Sequence, residues 1–469
     1  MYIPNNVALD TDRPRLMAAV LNSSGIGDNE NIKQKIAALI DENNDRPTRL
    51  LAQQSIGTQV LSSKDWRNSF IDTLVNRIGK VIVQSRLYRN PWKSFKQGYM
   101  ELGDTVEEIY IKLLEAHDFD PLKAETEVFK REIPQALSAL HSINFRKFYK
   151  VTVGMAELRA AFVTWDGLYN LIGRIMEQMY TSANYDEWLL MKFVVSHAIV
   201  NGMFYIKKIP EVTASNMNDV TAVMVETSNN LTFMDGSYNP MGVETYSDKS
   251  SQITIINTRF SALQNIEVLA TAFNMDKAEL QGNVVMVNSF SFTNAEQKRL
   301  KKLISESDYT NFFTEANQNA LNSVPAVTVD KSFFMIIDNL YDTEDLKNPE
   351  GLSWQYWLHT WKIVSTSPFA NAVAYTTSET PGTITSVTLI PATATVQTGQ
   401  NHIFSAVVEG TGIYNSSVEW RVSSNLSEID SSGYLKVGLN ETAQTLTVTA
   451  VSVQDSKIKG TATVTVTKG

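Results

Sequence analysis

Residues 164–203 constrain this chain more than any others, because they run without a proline or a turn cluster and form the longest unbroken helical pattern present. In the first half Trp165, Leu168, Tyr169, Ile172, Ile175, Met176 and Met179 recur at helical spacing, with Asp166, Asn170, Arg174 and Glu177 opposite. After a weak interruption at 182–184, the run from Trp188 to Val200 leaves only Lys192, Ser196 and His197 polar, which predicts a helix covered on most of its circumference. A fold around such a rod must pack on several of its sides.

The totals narrow the classes. A chain of 469 residues with 43% hydrophobic content can build several cores, and 41 basic against 50 acidic residues give a net charge of -9. That balance argues against one dominating basic field for nucleic acid, while leaving room for local patches. Without cysteine there is no disulfide, thiolate nucleophile or cysteine-ligated metal. The opening MYIPNNVALDTDRPRL lacks the apolar core of a secretory signal, and no stretch is apolar for long enough to cross a bilayer, so a cytoplasmic chain with no membrane partner is expected.

Along the chain, residues 1–65 read as a polar N-terminal arm with helical tries at 15–21 and 32–40. The main domain is expected over 66–376. It opens with a helix over 66–78 closed at Gly79 and a strand at 81–84. Cations and rings then interleave through Arg86, Arg89, Trp92, Lys93 and Lys96. Such a patch suits phosphates and bases, or contacts between subunits; the plainer reading, rings that anchor a loop, outweighs both. A long loop over about 98–153, hung between strands, leads through a short helix at MAELRAAF to the helix of 164–203. Alternating strands and helices follow, with helices near 217–226 and 266–274, and then a polar helical insertion at 292–321. The aromatic segments FFMIIDNLY and SWQYWLHTWKIV are expected as buried sheet. A Thr/Ser/Pro/Gly linker at 377–386 precedes short alternating strands over 387–469, which predict a β sandwich with Trp420 as its core anchor.

Readable chemistry is sparse. The five histidines, His117, His141, His197, His359 and His402, lack a second ligand at metal-binding spacing, and Asp338, Asp342, Glu344 and Asp345 lack a calcium-loop pattern. No phosphate loop, dinucleotide fingerprint or nucleophile elbow is present. No catalytic, metal or cofactor set is therefore assigned. His197 is the sharpest single position, and a hydrogen-bonded core histidine is its ordinary explanation.

Local sequences go further. FIDTLVNRIG at 70–79, DTVEEIY at 104–110, FKREIP at 129–134, LATAFNM at 269–275, and NPEGLSWQYW with SPFANAVAY between 348 and 375 resemble the major head proteins of phi-29-type short-tailed phages. The order of arm, long loop, spine helix and α/β domain resembles the Hong-Kong-97 phage capsid fold. VTLIPATATVQTGQ, VEWRV, SGYLKV and LTVTA resemble the bacterial group 2 immunoglobulin-like module.

The resemblance implies an α+β shell subunit that assembles as pentamers and hexamers into an icosahedral or prolate head around double-stranded DNA. In that frame 164–203 is the spine, 98–153 the extended loop, 247–377 part of the axial domain, and the last domain an outward decoration. A scaffolding protein, a portal and a host-surface contact through the last domain are the partners it brings. Assembly in the host bacterial cytoplasm and residence in the virion follow, with no enzyme activity and no cofactor. The insertion at 292–321 and the arm before Trp66 depart from the family pattern. Two other readings stay open: a surface-binding protein displaying an immunoglobulin-like module, and a nanocompartment shell that encloses protein cargo.

Overall fold

The computed structural model describes residues 17–41, 44, 46–63, 65–70, 73, 88–114, 116, 136–154, 165–263, 284–378 and 382–468, without side chains at 46, 50 and 165–176. Outside it lie the strand expected at 81–84, the end of the helix expected over 66–78, FKREIP, MAELRAAF, the helix at 266–274, His117 and Arg86.

In chain order the elements before residue 377 are α1 (Glu30–Ile40), α2 (Arg46–Ser62), β1 (Gly98–Tyr99), β2 (Thr105–Ile111), β3 (Ala136–Ser142), β4 (Phe145–Gly154), α3 (Trp165–Val200), β5 (Tyr205–Lys208), α4 (Met217–Asn230), β6 (Gln252–Asn257), α5 (Thr258–Leu263), β7 (Val284–Val287), α6 (Asn294–Leu300), α7 (Glu306–Phe312), α8 (Glu315–Asn322), β8 (Ala326–Asp330), β9 (Phe334–Asn348), β10 (Ser353–Thr366) and β11 (Ala372–Thr376). The chain divides into two compact units. One joins Met1–Asn90, Arg146–Glu187 and Leu340–Trp361; the other joins Pro91–Phe145, Trp188–Asn339 and Lys362–Gly469.

In the first unit α1 begins at Asn29, whose side-chain oxygen accepts from the N–H groups of Asn31 (3.1 Å) and Ile32 (3.4 Å). Two of the donors left open at a helix start are thereby satisfied. Ile32, Ile36 and Leu39 of α1 face inward and share a core with Ile56 and Val60 of α2, Met179 and Ala183 of α3, and Trp354, Tyr356 and Leu358 of β10. The segment expected as an arm therefore contains two packed helices. The reason is tertiary: α2 is rich in Gln and Thr and has little amphipathic contrast of its own.

The predicted rod is present as one helix, α3, which passes through 182–184 without a break. Its second half is covered: Leu189, Met191, Val195 and Ile199 are buried, as are Lys192 and Ser196.

The α/β layer of the second unit is a five-stranded sheet in the order β5-β11-β8-β6-β7. Strands β5 and β11 pair in parallel, whereas β8 runs antiparallel to both β11 and β6. Met217, Val220 and Met224 of α4 cover it through Ile256, Val373 and Tyr375. Burial raises the Tyr375 phenol to about 12, which keeps it a neutral core group. The segment expected as an insertion folds into α6, α7 and α8. Thr293 and Glu296 form a capping box on α6, which is why the chain can turn sharply into a helix there.

A second sheet has the order β1-β9-β10-β4. The aromatic block was expected to be buried throughout. Instead β10 alternates: Trp354, Tyr356, Leu358 and Thr360 are buried while Trp357, His359 and Trp361 are half-exposed, because only one face of this sheet has a core beneath it.

Beyond residue 382 the chain is all strand: β12 (Thr383–Ile390), β13 (Thr393–Gln397), β14 (Asn401–Ile403), β15 (Ser405–Thr411), β16 (Val418–Val422), β17 (Glu428–Ile429), β18 (Tyr434–Lys436), β19 (Thr445–Ser452) and β20 (Lys459–Thr467). The sheets are β12-β15, β13-β20-β19-β16 and β14-β18-β17, enclosing Phe404, Leu435, Leu446, Val448 and Val464. The first strand starts inside the segment expected as linker. Trp420 packs half-buried against this core, and Phe404 is the fully buried aromatic.

Candidate functional site

The interleaved patch resolves residue by residue. Arg86 lies outside the described residues, and Arg89 is exposed. In the second unit Trp92 is fully buried and tilted against Phe334, while Phe95 stacks on that same ring at 5.5 Å. Lys93 is exposed, and Lys96 is ion-paired with Asp338. Asp338 also faces the buried Lys362 at 3.5 Å, so this member of the expected acidic cluster is held by two cations. The rings fasten a crossing segment to β9: the N–H of Gln97 donates to Ile336 O at 2.9 Å and that of Met100 to Asp338 O at 2.7 Å. Anchoring thus accounts for Trp92, Phe95 and Lys96.

His197 is packed, with Phe193 and Phe312 rings 5.3 and 5.8 Å away and the Asn201 amide at 2.9 Å. Burial moves its pKa down, so it is held neutral. Five residues earlier, Lys192 donates to Glu296 at 3.2 Å and to Asn288 at 3.0 Å, with its ammonium 4.5 Å above the Phe292 ring. Ser196 adds a bond to Phe290 O at 2.8 Å. Burial alone would raise the Glu296 pKa, but the Lys192 charge and the Thr293 bonds outweigh it and hold the carboxyl below its ordinary value. Lys192, Ser196 and His197 therefore fasten the segment 288–312 to α3, while the buried Asp186 and Glu187 earlier on the helix accept from Tyr149 and Asn90.

The surface with most to offer a partner is the ribbon of β2 and β3, antiparallel from Thr105↔Ser142 to Ile111↔Ala136. An isolated two-stranded ribbon is marginal, so its inner face must be held. Glu108 accepts from Ser367 Oγ at 2.7 Å and faces His141 Nε2 at 3.3 Å. Tyr110 donates to Glu244 O at 2.7 Å and stacks on Phe369. Lys112, just past the strand, pairs with Asp430 beneath the Tyr434 ring. This pair offsets the burial of Asp430 and lowers its pKa. Polar seating on one side leaves the other free. Ile109, Ile111 and Leu140 are 58%, 63% and 70% exposed, and Leu113 and Leu114 extend the same apolar end. The ribbon falls within the loop expected over about 98–153, and sequence reading did not give this division, since alternation shows two faces without showing which one is seated.

No helix among the described residues is long and apolar enough to cross a membrane. Residues 46–376 match the profile of the Phi29-like phage major capsid protein family. The chain is 34% identical over 401 residues to the major capsid protein of Bacillus phage B103, a match spanning 84% of this chain and 83% of that protein. The major capsid protein of Bacillus phage GA-1 is 31% identical over 445 residues, covering 92% and 88%. Among solved structures, the capsid of Staphylococcus phage Andhra overlaps 63% of this chain and 86% of that chain at 15% identity, with a TM-score of 0.49.

Proposed function

The chain belongs to the Phi29-like phage major capsid proteins, a structural family, and from that premise we propose that it closes by self-association into a Hong-Kong-97-type head around double-stranded DNA. In this reading 66–376 is the shell domain, with α3 as its spine and the ribbon of β2 and β3 as the part that reaches a neighbouring copy. Pentamers and hexamers build the head in the host cytoplasm, guided by a scaffolding protein and a portal. Residues 387–469 form an outward immunoglobulin-like domain, available to the host surface.

The observation that carries the reading is the ribbon's outer face. A row of exposed Ile and Leu side chains on an element seated from beneath is unfavourable in an isolated subunit and favourable once a second copy covers it. No cysteine is available for a disulfide across such contacts. Electron microscopy and sedimentation of the purified chain, with and without its scaffolding partner, test this. Closed shells with outward knobs are expected. A folded monomer under every assembly condition refutes it.

A further inference from the structure

The half-exposed face of β10 has a counterpart on β4. Arg146 lies over the Trp361 ring at 5.3 Å, Phe148 meets His359 at 5.7 Å, and Lys150 lies over Trp357 at 5.3 Å. Each step of two along β4 is matched by a step of two back along β10, as cross-strand neighbours in an antiparallel pair require. All six residues belong to the first unit, on the side of the sheet away from its core.

Three properties of this face point to a ligand. Neither strand contains a carboxylate, in a chain whose net charge is -9. Arg146 and Lys150 are exposed at their positions on the edge strand of the sheet, roughly 14 Å apart along it. Each cation also rests on a ring, which narrows its rotamers and presents the charge outward with less entropy to lose on binding. The tryptophan faces are occupied by these cations, so bases have little open ring to stack on. What remains on offer is charge for a phosphate backbone. On the far side of β10, β9 carries exposed Asp342 and Glu344, which confines the positive surface to the β4 edge.

From this arrangement we infer that the outer face of β4 and β10 is a contact for the phosphate backbone of duplex DNA, independent of base sequence. The inference rests on the shell reading only for the identity of the polyanion. Its charge complementarity comes from Arg146 and Lys150, distinct from the Arg89–Lys93 segment.

The test uses the full chain and a labelled DNA duplex of mixed sequence, with affinity measured across a salt series. The wild type is expected to bind with an affinity that falls as salt rises. The double substitution Arg146→Gln and Lys150→Gln should lower the slope of log K against log salt by about 2. The charge-conserving pair Arg146→Lys and Lys150→Arg should keep the wild-type slope, which separates lost charge from lost packing. If the double Gln variant fails to fold by circular dichroism, Lys150→Gln alone should lower the slope by about 1.

Absence of binding by the wild type at low salt overturns the assignment. So does an unchanged slope in the Gln variants, or a slope that drops only when Arg89 and Lys93 are replaced. Gln variants that bind DNA like the wild type but no longer sediment as shells would make the face a contact between copies instead. Wild-type chains that bind duplex as expected but never close into shells would uphold this face and remove the shell reading.

Discussion

Lys192 and Glu296 decide how the segment after β7 is held. With the ammonium fully covered, removal of its partner leaves a buried charge supported by Asn288 and a ring. Glu296→Gln should therefore cost about 3 kcal/mol in denaturant unfolding, with Lys192→Met plus Glu296→Gln recovering much of it. Equal losses in the single and double variants would sink that account. Glu441 makes a different point in the terminal domain, where it accepts from Ser427 Oγ at 2.7 Å and from the N–H groups of Thr442 and Ala443 at 3.0 Å. The Ser427 bond leads in holding its pKa at about 2, below the ordinary 4.5. A depressed carboxyl contributes stability above its unfolded value and loses it as pH falls through the folded one. The melting temperature of the terminal domain should accordingly drop between pH 4.5 and 2, and Glu441→Gln should flatten that dependence. Parallel profiles for the two proteins would contradict it.

Among the elements, the ribbon carries the sharpest expectation. Ile109→Asp with Leu140→Asp changes only exposed side chains, so subunit stability should move by less than about 0.5 kcal/mol per site, while closed shells should be lost from sedimentation profiles. Normal shells from this variant would remove the ribbon's outer face from assembly. Elements of this kind were legible in the sequence wherever a period ran long enough: α3, α4, and the alternating strands such as β4 and β19. Four features escaped, each for a tertiary reason. The α2 helix has weak contrast and is held by the partners of Ile56 and Val60. Strands β13 and β17 are short and are defined by pairing with β20 and β18. The Lys192 partner stands 104 residues along the chain, a distance no local pattern spans. The outward cation–ring pairs of β4 and β10 look like any dense aromatic block until the core beneath one face fixes which side is out. Of the interleaved patch, Trp92 is buried against Phe334 and Lys96 is paired with Asp338, neither of which a local pattern names.

For the whole molecule, the terminal domain has its own core, and among the described residues its polar contacts with the rest include Lys112 with Asp430, Ser416 Oγ to Gly202 O, and Ser431 Oγ to Gly242 O at 3.1 Å. Deleting residues 387–469 should leave a chain that folds and assembles, because each such contact contributes at most about 1 kcal/mol. Shells of the deleted protein should melt a few degrees lower by calorimetry. Loss of all assembly, with circular dichroism intact, would show the domain to be part of the closure itself.

Glu108, Tyr110 and Lys112 seat the ribbon on three different parts of the subunit through polar contacts, each of which water can replace at a cost of about 1 kcal/mol. A surface closed by many identical copies gives those copies unequal surroundings and asks small differences of angle from each. In the proposed shell, a seat that water can enter yields to such differences, while the apolar outer face keeps the same side chains turned to every neighbour. One amino-acid sequence can then occupy both the sharply and the gently curved positions of a single closed surface.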